Sequence, residues 1–200
     1  MARAGDVIES PVIGERAIFR QTAADTNGEL LQLEVFQKVG AKGPIEHYHT
    51  GQEERFEVVS GVMHAQVGGR EVRLGPGESV VIPAGTPHRW WNGGQEELHV
   101  VAEVRPALQV ERFFETIFGL AQDGKTDADG APSFLQIALF AAAYDIWVPK
   151  PPRPLQRALF AVLAPIARLR GYRAWYPEYS DPKEPQRRSV ATPVNEPAHQ

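Results

Sequence analysis

No cysteine occurs among the 200 residues. Thiolate metal ligands, disulfides and a cysteine nucleophile are therefore excluded, and the composition fits a reducing compartment. Long apolar runs are also missing, since the longest, 158–167, is about half of what a membrane-spanning helix needs. Residues 1–11 hold Asp6 and Glu9 and no apolar stretch, so a secretory leader is not expected and a cytoplasmic protein is. Excess positive charge is lacking, with a net charge of −4. Together with the lack of a helix-turn-helix pattern, this argues against a nucleic-acid partner. What is present is a 42% hydrophobic chain, long enough to bury a full core.

Against that background the histidines stand out. His47 and His49 lie two residues apart in a stretch that reads as extended, so their side chains share a face. Glu54 follows, and His88 arrives on a later strand. Three neutral imidazole nitrogens and one carboxylate oxygen suit a divalent transition metal such as Fe, Mn, Ni, Cu or Zn. A carboxylate buried among imidazoles without a cation would be costly or would have to take up a proton, which favours a resident ion. Alternation puts Phe56 and Val58 on the face of Glu54, and Trp90 on that of His88, as apolar lining of a pocket. Glu53 and Glu57 fall on the opposite face as rim residues. His64 and His99 are given no catalytic role, because a lone strand histidine is usually hydrogen-bonded or at the surface.

The same residues resemble the two motifs of the cupin superfamily. His47, His49, Glu54 and Gly61 match the first, and Gly77, Pro83, Gly85, His88 and Asn92 match the second in full. The leading glycine of the first motif is displaced: Ala41 stands in its place, with Gly40 and Gly43 nearby. The resemblance covers residues 30–104 and implies a double-stranded β-helix, a jelly-roll barrel, with the metal inside. It also implies a homodimer. Gly77 and Gly85 read as turn residues, Pro83 and Pro87 as stiffeners of the loop that delivers His88, and Asn92 as the tie of a turn.

Periodicity divides the chain. Short strands are expected at 16–22, 30–39, 45–49, 55–60, 62–67, 71–74, 79–82, 88–91 and 97–104, with Gly68-Gly69 as a hairpin turn. From Pro106 the period becomes helical, with helices expected at 108–121, 133–147 and 154–170, the last ended or kinked by Pro165. The loop 122–132 carries Asp123, Asp127 and Asp129, but Lys125 occupies a ligand position of a calcium loop, so it reads as solvated. Three segments result: a mainly β barrel domain at 1–106, a helical extension at 107–176 packed on the barrel or on a dimer partner, and a proline-rich polar tail at 177–200. No acid lies between Asp145 and Glu178, while Lys150, Arg153, Arg157, Arg168, Arg170 and Arg173 are basic. Contact of these helices with a membrane surface is the lesser reading.

Three functions fit such a centre. The first is a small-molecule oxygenase acting on a chelating enol, diketone or flavonol-type substrate. The second is a Lewis-acid isomerase, cyclase or hydrolase, and the third a non-catalytic module that binds a metal or ligand. The oxygenase is placed first because the retained glutamate suits a redox-active metal.

Overall fold

Alternating apolar and polar side chains need a surface to bury one face against. In the computed structural model, which describes residues 1–180, that surface is a second sheet. Nine strands form, β1 (Val7–Ser10), β2 (Glu15–Gln21), β3 (Leu31–Gln37), β4 (Glu53–Ser60), β5 (Met63–Val67), β6 (Arg70–Leu74), β7 (Ser79–Ile82), β8 (His88–Asn92) and β9 (Leu98–Arg105). Six make an antiparallel sheet in the order β1-β2-β3-β9-β4-β7, and three make a second in the order β6-β5-β8. The architecture is a jelly roll, built as two facing sheets and not as one closed hydrogen-bonded cylinder.

Inward positions follow the expected period. Leu31, Leu33 and Val35 of β3 are buried while Gln32, Glu34 and Phe36 are not. They meet Phe19, Met63, Ala65, Leu98 and Val100 in the main core, each large side chain contributing about 1.5–3 kcal/mol of burial. Gly68 and Gly69, with φ of 56° and 79°, join β5 to β6 in the positive-φ geometry of a tight hairpin. Gly43 answers the displaced motif glycine: it has a φ of 64°, and a Cβ there would stand 1.8 Å from the Trp90 carbonyl oxygen.

Three expectations are corrected. The polar lead contains a strand, β1, which pairs with β2 through Val7 opposite Ile18. Residues 45–49 are not a strand but two isolated bridges, His47 with His88 and Tyr48 with Trp147, because the segment crosses between partners that belong to different parts of the chain. Among the described residues a short fourth helix joins the three expected: α1 (Val110–Gln122), α2 (Phe134–Tyr144), α3 (Arg153–Leu169) and α4 (Pro177–Ser180). α4 falls at the start of the expected tail, where the buried Ser180 donates a hydrogen bond to Glu115 of α1. The remainder of that tail lies outside the described residues.

α1 seals the barrel, since Val110 and Phe118 join its core. α2 is apolar nearly all round because it is the middle layer. One side meets α1 through Phe140 and Tyr144, and the other meets α3 through Ala138 and Ala141 against Phe160. α3 runs through Pro165 to Leu169. Ala161 and Pro165 are both exposed, so the carbonyl that loses its partner lies on the solvent side. In the loop after α1, Asp127 Oδ1 accepts the backbone N–H of Asp129 and of Ala131, at 3.0 and 2.9 Å, and so closes its own turn. No helix among the described residues is long and apolar enough to cross a membrane.

One face of α3 is bare: Leu155, Leu159, Val162, Ile166 and Leu169 are 41–89% exposed, whereas Phe160 is 8% exposed. Val162→Gln is therefore expected to change the folding free energy by less than about 0.5 kcal/mol. Phe160→Ala, which opens a void beside Trp147, is expected to cost about 3–5 kcal/mol. Urea denaturation of the two variants measures both, and equal losses would mean that the bare face is packed in solution.

Candidate metal centre

The four donor residues come from three places in the fold. Glu54 sits near the start of β4, opposite Ile82 of β7 and Val104 of β9 in the large sheet. His88 opens β8 in the small sheet. The 47–49 segment is held against β8 by a reciprocal pair, the His47 N–H to the His88 carbonyl at 2.9 Å and the His88 N–H to the His47 carbonyl at 2.8 Å. On its other side Tyr48 exchanges hydrogen bonds of 2.8 and 3.0 Å with Trp147. Tyr48 packs with Ala138, Trp147 and Phe160, which leaves its two neighbours, His47 and His49, to face Glu54 and His88. The loop before β8 is tied in by the Gly85 N–H, 2.6 Å from the His49 carbonyl.

One ligand atom from each of His47, His49, Glu54 and His88 lies within 4.8 Å of the others. Donors on opposite sides of a single ion bound at about 2.0–2.2 Å stand roughly 4 Å apart, so the cluster has the scale of one ion. Glu54 Oε2 is 2.7 Å from His88 Nε2, and Oε1 is 3.5 Å from His49 Nε2. Each imidazole turns its Nδ1 to a backbone carbonyl: His47 to Ile45 at 2.8 Å, His49 to Asp145 at 3.1 Å, and His88 to Thr86 at 2.9 Å. A carbonyl only accepts, so all three rings carry the proton on Nδ1, and the two Nε2 atoms near Glu54, those of His49 and His88, are left facing the carboxylate. His88 Nε2 is buried and, despite its approach to Glu54, makes no aligned hydrogen bond. An atom so placed fits a ligand to a cation.

The electrostatics agree with that fit. Burial would raise the pKa of Glu54, but the close approach of His88 and the nearby imidazoles outweigh it and hold the carboxyl at about 2. Burial pushes His47 down to about 4, aided by His88, and also lowers His49. Burial pulls His88 down as well, yet the Glu54 carboxylate prevails and its pKa is raised. At neutral pH the cluster thus presents an ionised carboxylate and two neutral rings, with His88 the one ring that draws a proton.

Residues 33–103 match the family model described as a cupin domain. This stretch is a cupin domain. Two curated relatives carry oxidoreductase names: the probable oxidoreductase virH of Hypocrea virens is 31% identical over 125 residues, 56% of this chain and 57% of its own length. The oxidoreductase iacF of Pestalotiopsis fici is 33% identical over 112 residues, 52% of this chain and 54% of its own length. The chain spans little more than half the length of these two relatives. Among solved structures, an RmlC-like cupin from Shewanella frigidimarina is 20% identical with a TM-score of 0.46, covering 54% of this chain and 88% of that one. KdgF from a Halomonas species is 23% identical with a TM-score of 0.45, covering 50% and 86%.

Within the cupin domain, Phe56, Val58 and Trp90 are buried on the faces that carry Glu54 and His88, and all three belong to the main core. The Phe56 and Trp90 rings are 5.2 Å apart. Glu53 is exposed and Glu57 half-buried, on the opposite face of β4. His64 faces outward beside Trp91, and His99 stacks on Phe36 at 4.2 Å, 3.5 Å from Glu34. Asn92 is a structural tie: its amide donates to the carbonyls of Gln37, Lys38 and Glu96, and its oxygen accepts the Gly94 N–H at 2.9 Å.

Sequence reasoning missed Asp145. The expected helix 133–147 runs over it, but α2 ends at Tyr144 and Asp145 takes a left-handed conformation, φ 52° and ψ 40°. Its carboxylate accepts from the N–H groups of Thr50 and Gly51 and from the Trp147 ring nitrogen. Burial would raise its pKa, and these hydrogen bonds, led by that of the Thr50 hydroxyl, bring it below the usual value. The available signal was weak: an acid at the end of an apolar helix, where a short polar side chain tolerates positive φ.

Proposed function

We propose that His47, His49, Glu54 and His88 hold one divalent transition-metal ion, and that the chain is a metal-dependent oxidoreductase of small molecules. Its substrate class is a chelating enol, diketone or flavonol, and its reaction an oxygenation. The observation that carries this reading is the donor arrangement: three imidazoles with Nδ1 bound to carbonyls, converging on an ionised carboxylate. When bound, a redox-active ion supplies electron exchange with dioxygen and acidifies a coordinated hydroxyl. Glu54 contributes one negative charge against the ion's two, so the centre keeps a net positive charge that attracts an enolate. Phe56, Val58 and Trp90 give it apolar walls, and the low polarity strengthens that attraction. The oxidoreductase names of the curated relatives support the class of reaction.

The test loads the purified chain in turn with Fe, Mn, Ni, Cu and Zn and follows oxygen consumption over a panel of chelating enols, diketones and flavonols. Uptake is expected with a redox-active ion, and none with zinc or with the His88→Ala variant. Metal-dependent turnover without oxygen uptake would assign a Lewis-acid isomerase, cyclase or hydrolase in its place. Neither activity, with a tightly retained ligand, would assign a binding module.

A further inference from the structure

The Nδ1 partners of the three imidazoles are not alike. His47 and His88 each use the carbonyl two residues before them, Ile45 and Thr86, so the strand-and-loop geometry of the jelly roll supplies both. His49 uses the carbonyl of Asp145, 96 residues away in the helical extension. That carbonyl reaches the ring because Asp145 leaves α2 in the left-handed region, which turns it off the helix axis. Among residues other than glycine, Asp is one of the few that adopt this conformation routinely.

The side chain of the same residue grips the chain immediately beyond His49. Asp145 Oδ2 accepts the N–H of Thr50 at 2.6 Å and of Gly51 at 2.9 Å, and Oδ1 accepts the Thr50 hydroxyl at 2.8 Å. Oδ1 also accepts the Trp147 ring N–H at 2.8 Å, and Trp147 in turn pairs its backbone with Tyr48. Residues 48–51 are therefore clasped by 145–147 at every position, through backbone, ring or side chain. Hydrogen bonds to a carboxylate are roughly twice as strong as neutral ones, so this clasp is stiffer than a loop contact.

We propose that Asp145 is a positioning residue of the metal centre, fixing the ring orientation and tautomer of His49, so that the helical extension supplies part of the site. The inference rests on the metal-binding reading above for its consequence, and on the hydrogen bonds alone for its geometry.

Two readouts test it on the full chain. The first is cobalt(II) affinity by chelator competition, with the visible absorption of the bound ion as signature. Asp145→Ala is expected to weaken binding roughly 10- to 100-fold, the usual effect of losing the group that orients a histidine ligand. Asp145→Asn keeps the preference for positive φ and one acceptor oxygen, and is expected to recover most of that loss. The second readout is nitrogen-15 NMR of the histidine rings in metal-free protein, where Asp145→Ala is expected to mix the tautomers of His49 and leave His47 unchanged.

An Asp145→Ala protein that binds cobalt(II) within about twofold of the parent and keeps the His49 tautomer would overturn the proposal while sparing the metal reading. A parent chain that takes up no cobalt(II) would overturn the metal reading, and the NMR comparison would still decide whether Asp145 holds the ring. If Asp145→Ala does not fold, Thr50→Val, which removes one donor to the carboxylate at nearly constant shape, carries the same two measurements, with the same direction expected and an unchanged His49 counting against.

Discussion

Exchange of His88 for alanine is expected to lower divalent-ion affinity by more than the roughly 100-fold that loss of an orienting group costs, because a donor itself is removed. It is also expected to destabilise the metal-free protein by about 3 kcal/mol, near the low end for breaking a buried ion pair. The reason is Glu54, whose side chain is 12% exposed and whose Oε2 would lose its nearest partner, while His49 stays at 3.5 Å from Oε1. Glu54→Gln removes the charge and leaves an amide whose N–H can donate to His88 Nε2, so it should abolish metal retention at a smaller cost to folding. Metal content after dialysis and urea midpoints of the two variants measure these effects. Full metal occupancy in His88→Ala would leave the four-donor centre without support.

Metal uptake is expected to weaken about tenfold for each unit of pH below the pKa of His88, because one proton must then leave for each ion that enters. Glu54, held at about 2, is ionised throughout the working range. His47, held at about 4, has no proton to give up there, and the lowered His49 titrates on the acid side of 6.5. His88 alone has its pKa raised above 6.5, so the dependence sets in above that value and continues as the pH falls through it. Calorimetric titration in two buffers of different ionisation heat counts the protons, with more than half a proton per ion expected at pH 6.5 and a clear drop once His88 is replaced. In the metal-free protein the same linkage has opposite signs at two rings. Protonated His88 adds stability below 6.5 that is lost as pH rises through its folded value. His47 takes stability away as pH falls from 6.5 towards about 4, since the unfolded ring accepts a proton that the buried ring refuses.

Much of this fold can be read from alternation alone. A period of two assigns the inward face of β3 and the glycine hairpin between β5 and β6 without reference to any partner. Spacing also places His47 with His49, and Phe56 with Glu54, on common faces, because alternation is a local property. What it cannot supply is what lies opposite. The 47–49 segment has the pattern of a strand and yet pairs one residue at a time, with His88 on one side and Trp147 on the other. Leu155 and Phe160 look alike in the sequence of α3, although one is bare and the other buried beneath Trp147. Asp145 lay beyond reach for the same reason: its role depends on Thr50 and Gly51, and no periodicity links positions so far apart.

The clasp between 145–147 and 48–51 bears on how this barrel can be moved into other proteins. A graft that stops at residue 106 would carry all four donors and leave behind the carbonyl that steadies one of them. The transplantable unit is discontinuous, the strands plus a short return from the far end of α2, and a host scaffold must offer an acceptor of its own at that point to inherit the centre intact.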